Sequence, residues 1–234
     1  MNRVAAFIVL SFVALPVARA AADHQSWSFE APFGGFETTT LQKGFLVYQA
    51  DCAECHGLRL IRYRDLRGIG LSHSEIVALT SKIKRMVGKK KKAVTPDDRM
   101  RALDSHGSAV SAVAAPDLSL TVAARRGGPE ALYSLLTGYR DAPPDVAMIP
   151  GYYYNVAYPG GQIAMAPALK KGSVTFADGV KPDVGEMAHD VTAFLAWSAD
   201  PTLNERKLVG LTAMIYLVVF WLVGFIALRP GRGR

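Results

Sequence analysis

Residues Leu208 to Leu228 are 21 consecutive positions without a charge, bracketed by Arg206-Lys207 on one side and Arg229, Arg232 and Arg234 on the other. A helix of that length, at about 1.5 Å per residue, covers the roughly 30 Å hydrocarbon core of a bilayer. A buried helix of a soluble protein is normally interrupted by polar residues over such a length, so the run predicts one C-terminal transmembrane helix. The opposite end carries a second apolar stretch, Val4 to Val17, preceded by Arg3 and followed by Ala18-Arg19-Ala20. A basic start, a short apolar centre and a small-x-small ending are the pattern of a cleaved secretory signal. The chain therefore divides into a signal segment (1–20), an exported domain (21–204) and an anchor with a short tail (205–234). The Arg-rich tail stays on the cytoplasmic side by the positive-inside rule, against a weaker opposing pull from Arg206 and Lys207. This predicts a single-pass protein of a bacterial inner membrane, with its domain on the periplasmic side.

The formal net charge of +7 suggests nucleic acid as a partner, and its distribution argues against that. Residues 21–204 carry 20 Lys and Arg against 19 Asp and Glu, so the exported domain is close to neutral. Its basicity is local, at Lys82, Lys84, Arg85 and Lys89 to Lys92. Along this domain, residues 23–38 are aromatic and without period, as an extended arm would be. Thr39 and Gln42 fit a capping box, and Leu41, Phe45, Tyr48 and Cys52 then share one helical face. From Ser81 to Ala114 the apolar pattern dissolves into a surface excursion. A short helix opening at Pro129 runs through Leu132, Leu135 and Leu136 to Gly138. Residues 141–182 are rich in proline and glycine and read as a long loop. A last domain helix spans about Asp183 to Ala199, with Val184, Met187, Ala188, Val191, Phe194 and Leu195 on one face and Pro201 behind it. With no convincing strand pattern, the fold class is mainly α, a domain with long loops plus the transmembrane helix.

The haem follows from the two cysteines. A bridge between Cys52 and Cys55 would close too small a loop to restrain an exported domain, so the pair needs another task. Cys52-Ala53-Glu54-Cys55-His56 is the attachment signature of c-type haem. The two thiols add across the vinyl groups, and the adjoining histidine is held under the iron as proximal ligand. A structural zinc site would need two further ligands at finger-like spacing, whereas His24, His73, His106 and His189 are scattered. A thioredoxin-like pair would need a strand-helix-strand context that is absent. One covalently bound haem c is the expected cofactor, which makes the expected fold a mainly α, cytochrome c-like haem domain with long loops plus one C-terminal transmembrane helix.

The sixth ligand separates an electron carrier from a haem enzyme or gas sensor, because an open iron position binds oxygen, carbon monoxide or peroxide. The exported domain offers Met86, Met100, Met148, Met165 and Met187. Met187 lies on the apolar face of the last helix, and Met86 and Met100 fall in the charged excursion. Met148 and Met165 remain. Gly160-Gly161 and Pro167 favour Met165, since they can aim a rigid loop at the iron, although a methionine filling a gap in the core would look the same.

A set of short blocks resembles the cytochrome c1 family. They are Trp27-Ser28-Phe29-Glu30, Gly44-Phe45 before Tyr48, Cys52 to Gly57, Tyr63-Arg64, Ala115-Pro116-Asp117-Leu118-Ser119, Ser134 to Tyr139, and Ile163-Ala164-Met165-Ala166-Pro167. They occur in that family's order and cover nearly the whole mature chain. The resemblance implies a redox subunit of ubiquinol:cytochrome c oxidoreductase, the cytochrome bc1 complex, which is not a catalyst alone. It would take electrons from a Rieske iron-sulfur protein and pass them to a cytochrome c, with cytochrome b as the third redox subunit. The resemblance also implies that Met165 is the sixth ligand, that Arg125 pairs with a haem propionate, and that the Pro116 backbone lies against the proximal side of the haem. Two departures stand out. Lys89 to Lys92 and Ser105-His106-Gly107-Ser108 replace a stretch that carries acidic residues, a Phe-Pro element and Asn-Gly in that family, and Ala168 replaces a proline. The competing expectations are a membrane-anchored cytochrome c feeding a terminal oxidase and a five-coordinate haem enzyme or sensor.

Overall fold

The computed structural model describes residues 25–87, 90–102, 115–176 and 179–228. The signal segment, Lys89, Ser105 to Ser108 and the arginines of the C-terminal tail lie outside the described residues. Helices α1 (Thr38–Val47) and α5 (Val184–Ala199) pack face to face and form the centre of the core. Their aromatic residues interlock: the Phe45 and Phe194 rings lie 5.4 Å apart, Tyr48 and Phe194 5.6 Å, and Phe194 and Trp197 5.7 Å. Gly44 sits where the helices come closest, and a Cβ there would run into the Asp190 carbonyl. The glycine is thus selected by backbone approach rather than by conformation. Helices α3 (Thr121–Ala124) and α4 (Gly128–Thr137) lie against α5, with Val122, Leu132 and Leu135 buried between them. Helix α2 (His73–Lys82) begins at a capping box in which Ser72 and Glu75 bond each other's backbone N–H.

The helices read from the sequence appear with small shifts. Asp183 caps α5 by accepting from the Glu186 N–H, and Met187, Ala188, Val191, Phe194 and Leu195 are all buried. Helix α4 starts with Pro129 in its first turn and ends at Gly138. The capping box at Thr39 and Gln42 does not form. Helix α1 starts at Thr38, the Glu37 side chain makes no capping bond, and Gln42 instead donates to the Ile69 carbonyl, tying α1 to the turn at Tyr63–Ile69. Arm residues Ser28–Glu30 form a 3-10 turn, and Trp27 and Phe29 are buried rather than extended along the surface.

Strands are the principal correction. Among the described residues three two-stranded antiparallel ladders occur: β1 (Leu58–Arg62) with β4 (Arg99–Met100), β2 (Lys84–Val87) with β3 (Lys90–Ala93), and β5 (Tyr153–Tyr154) with β6 (Gln162–Ile163). Each strand is at most five residues long, below the length at which alternation becomes visible. The charged excursion is in part a hairpin, and Met100 is a core residue at 2% exposure.

Helix α6 (Leu203–Leu228) starts five residues before the uncharged run and is exposed along its length, as a helix that seats in lipid would be. Its 26 residues span about 39 Å at the usual rise. The domain grips its first turns. The Lys207 ammonium donates to the carbonyls of Phe29, Ala31 and Gly34 at 2.7, 2.6 and 3.0 Å, and Asn204 exchanges hydrogen bonds with the Phe36 backbone. Lys207, which charge counting set against the predicted orientation, is therefore a structural cation of the arm. A chain ending after Lys207 is expected to leave the membrane and fractionate as a folded soluble protein. Ending it at Leu203 should release the arm as well, seen as faster proteolysis near Phe33.

Candidate haem-attachment site

Helix α1 continues into a π-helical turn, Tyr48–Cys52, which buries Cys52 and, after the buried Ala53, turns Glu54 and Cys55 outward. The N–H groups of Cys55 and His56 both donate to the Cys52 carbonyl, at 3.1 and 2.8 Å, so the two thiols and the imidazole issue from one tight turn. Cys52 is buried, Cys55 is exposed, and no disulfide joins them. Burial, reinforced by Asp51 and Cys55, pushes the Cys52 thiol up to about 12, which keeps it protonated. The Tyr48 hydroxyl, its own ionisation suppressed by burial, donates to the His56 carbonyl at 2.9 Å and ties the motif back to α1.

His56 is oriented from a distance in sequence. Its Nδ1 lies 2.8 Å from the carbonyl of Pro116, 60 residues on. A carbonyl can only accept, so Nδ1 carries the proton and Nε2 keeps its lone pair for a metal. The Pro116 segment is itself pinned to the chain that follows the motif. The Leu118 N–H donates to Gly57 O at 2.8 Å, Arg59 N–H to Asp117 Oδ2 at 2.8 Å, and Leu60 N–H to Ser119 Oγ at 3.1 Å. Sequence pattern alone gave no hint of this seam, because both segments are too short to show periodicity.

Met165 sits half-buried against the core on the loop that leaves β6. The loop is built rather than slack. Gly160 and Gly161 take positive φ of 79° and 72°, and a Cβ on Gly161 would crowd the Tyr154 ring. The Tyr139 hydroxyl donates to the Met165 carbonyl at 3.0 Å. Asn155, fully buried, donates to the Leu135 carbonyl and accepts from the Ala157 N–H, while its own N–H reaches Gly161 O at 2.9 Å. Asn155 and Tyr139 are thus supporting residues that the sequence did not single out. Met148 is half-buried, on a loop segment held by the neighbouring Ile149 N–H and Ala147 carbonyl, both bonded to Gln162. Met187 has no exposed surface and packs in the core, as its helical face required. Arg125 lies exposed at the end of α3, where its carbonyl accepts from the Gly128 N–H.

The donor set fits a covalently attached haem: two free thiols on one turn, and an imidazole with its tautomer fixed. Zinc does not fit, because among the described residues no three His, Cys, Asp or Glu side chains cluster.

A mainly helical domain with a thiol-thiol-imidazole turn and a trailing membrane helix delimits the class, and comparison with known sequences narrows it. The model of the Cytochrome C1 family matches residues 27–230. Similar proteins include "Cytochrome c1 1, heme protein, mitochondrial" of Arabidopsis thaliana, 36% identical over 79% of this chain and 63% of the relative. Cytochrome c1 of Rhodospirillum rubrum is 34% identical over 83% of this chain and 81% of its own length. The "Cytochrome b-c1 complex catalytic subunit, mitochondrial" of Candida albicans is 34% identical over 86% and 75%. The chain belongs to the cytochrome c1 family.

Asn155→Ala removes the buried hydrogen bond to the Leu135 carbonyl and the half-buried one from the Ala157 N–H, at about 1–3 kcal/mol. The expected outcome is a lower denaturation midpoint with an unchanged slope in urea unfolding of the holoprotein.

Proposed function

We propose that this chain is the haem-bearing electron-transfer subunit of a membrane cytochrome bc1 complex. It would receive electrons from a Rieske iron-sulfur protein and pass them to a cytochrome c, beside cytochrome b, with its domain on the periplasmic side. The observation that carries this reading is the His56 Nδ1 bond to the Pro116 carbonyl, within a chain of the cytochrome c1 family. That bond gives the imidazole an orientation and tautomer that leave the Nε2 lone pair free to ligate a metal. Bound haem c supplies a one-electron couple on iron, without proton or atom transfer.

The chain's residues do the rest. Cys52 and Cys55 would hold the group covalently, and His56, whose ring the Pro116 carbonyl keeps from rotating, would supply one ligand. Met165, on a loop fixed by Tyr139 and Asn155, would supply a second, and such a thioether ligand closes an iron to small ligands and raises its potential. Arg125 would pair with a propionate and lower the cost of carrying that charge. Helix α6 keeps the domain next to partners in the same bilayer, where a diffusing carrier would lose encounter frequency. Family membership removes the ground for the terminal-oxidase and open-iron readings.

Replacing Cys52 and Cys55 together by Ser is expected to leave no haem stain on the denatured polypeptide. Met165→Leu is expected to lower the reduction potential and let the ferrous protein bind carbon monoxide, whereas Met148→Leu does neither. Retained stain in the double variant, or carbon monoxide binding confined to Met148→Leu, would overturn the assignment.

A further inference from the structure

The near neutrality of the exported domain conceals a strong division of charge. Residues 59–101 carry 13 Lys and Arg against 4 Asp and Glu, whereas the rest of residues 21–204 carry 7 against 15. The fold keeps that segment together. Strand β1 leaves the haem-attachment motif, pairs with β4, and leads through the Tyr63–Ile69 turn to α2, which packs on both that turn and β3 of the lysine hairpin. The hairpin rejoins this lobe where Val94, buried, donates to the Ile83 carbonyl, and the Pro96 carbonyl accepts from Arg64 N–H.

Among the described residues, several of these cations meet backbone carbonyls or solvent rather than carboxylates. In the β1–β4 ladder Arg62 stands opposite Arg99. Both guanidinium groups are turned to backbone carbonyls, Arg62 to Asp97 O and Arg99 to Arg59 O, which satisfy hydrogen bonds without cancelling charge. Arg59 is 71% exposed with Asp117 only at 3.9 Å, and Arg99, Arg101, Lys82 and Lys84 are exposed. Asp97 and Asp65 pair with the Arg64 guanidinium. Arginines opposed across a ladder repel, and a fold retains such an arrangement at a cost that a bound anionic surface would offset. The lobe also begins two residues beyond His56, at Leu58, and Arg59 is about 10 Å of extended chain from the attachment turn.

We propose that this lobe, the β1–β4 ladder with the lysine hairpin, is the docking surface for an acidic electron-carrier protein. The proposal rests on the haem reading above and names the chemistry of the acceptor. Anionic lipid is the poorer occupant. The anchor is gripped by the arm at residues 29–36, and a lipid contact would not need to lie beside the redox motif. Charge of this kind acts on the rate of encounter, within a Debye length of about 8 Å at physiological salt.

The test follows electron transfer from the reduced full-length holoprotein, in detergent, to two soluble c-type cytochromes, one acidic and one basic, across ionic strength. With the acidic carrier the second-order rate should fall about tenfold or more as salt rises, and with the basic carrier it should rise. The quadruple change of Lys84, Lys90, Lys91 and Lys92 to Glu should slow the acidic carrier at low salt, converge with wild type at high salt, and leave haem content and spectrum intact. Wild-type rates to the acidic carrier that are independent of salt, or that increase with it, overturn the proposal even if the variant fails to fold. So does a variant that loses binding to vesicles of phosphatidylcholine and phosphatidylserine while reducing the acidic carrier at the wild-type rate. A wild-type chain without covalent haem would instead sink the functional reading on which the proposal stands.

Discussion

The close approach of α1 and α5 at Gly44 is the constraint from which the rest of the domain is positioned. With no side chain at that point, the helices meet backbone to backbone, and Phe45, Tyr48, Phe194 and Trp197 fill the space on either side. The C-terminal end of α1 then delivers Cys52, Cys55 and His56 to a fixed place, and the Tyr48 hydroxyl, already locked in that core, holds the motif by its His56 carbonyl. A larger residue at position 44 would displace the attachment turn and the helix that leads to the anchor together.

The second requirement is that a segment 60 residues away returns to the histidine. The Pro116 carbonyl decides which imidazole nitrogen is free, and the Asp117, Leu118 and Ser119 contacts hold that carbonyl in place. Electron transfer gains from such a frame because a group that does not rearrange between redox states costs little reorganisation. The same logic applies on the Met165 loop, where a buried asparagine and a tyrosine hydroxyl stand in for regular secondary structure. Asn155 is fully buried and Tyr139 half-buried, so loss of the asparagine leaves a buried partner unsatisfied.

What could be read from the residues follows the lengths of the elements. Helices α4 and α5 and the anchor were legible because ten or more residues of apolar period, with Pro129, Asp183 and Pro201 as punctuation, leave little choice. The attachment motif was legible because its chemistry is local. Strands of two to five residues were not, nor was the capping of α1, where Gln42 serves a tertiary bond to Ile69 instead of its own helix. Burial of Met100 on β4 was hidden by the charged residues around it. Asn155 and Tyr139 escaped notice because their roles exist only when α4 and the Met165 loop meet.

The central claim is that electrons reach this chain from a quinol-oxidising complex and leave through a haem on its domain. Its most direct test is to purify the complex from membranes through a C-terminal tag on this chain and follow the c-type haem absorbance after adding ubiquinol. The account predicts that cytochrome b and a Rieske protein co-purify, that the c-type haem is reduced, and that removing the Rieske protein abolishes this reduction. A c-type haem that quinol reduces equally well without the Rieske protein, or a tagged chain that carries no haem, would contradict it.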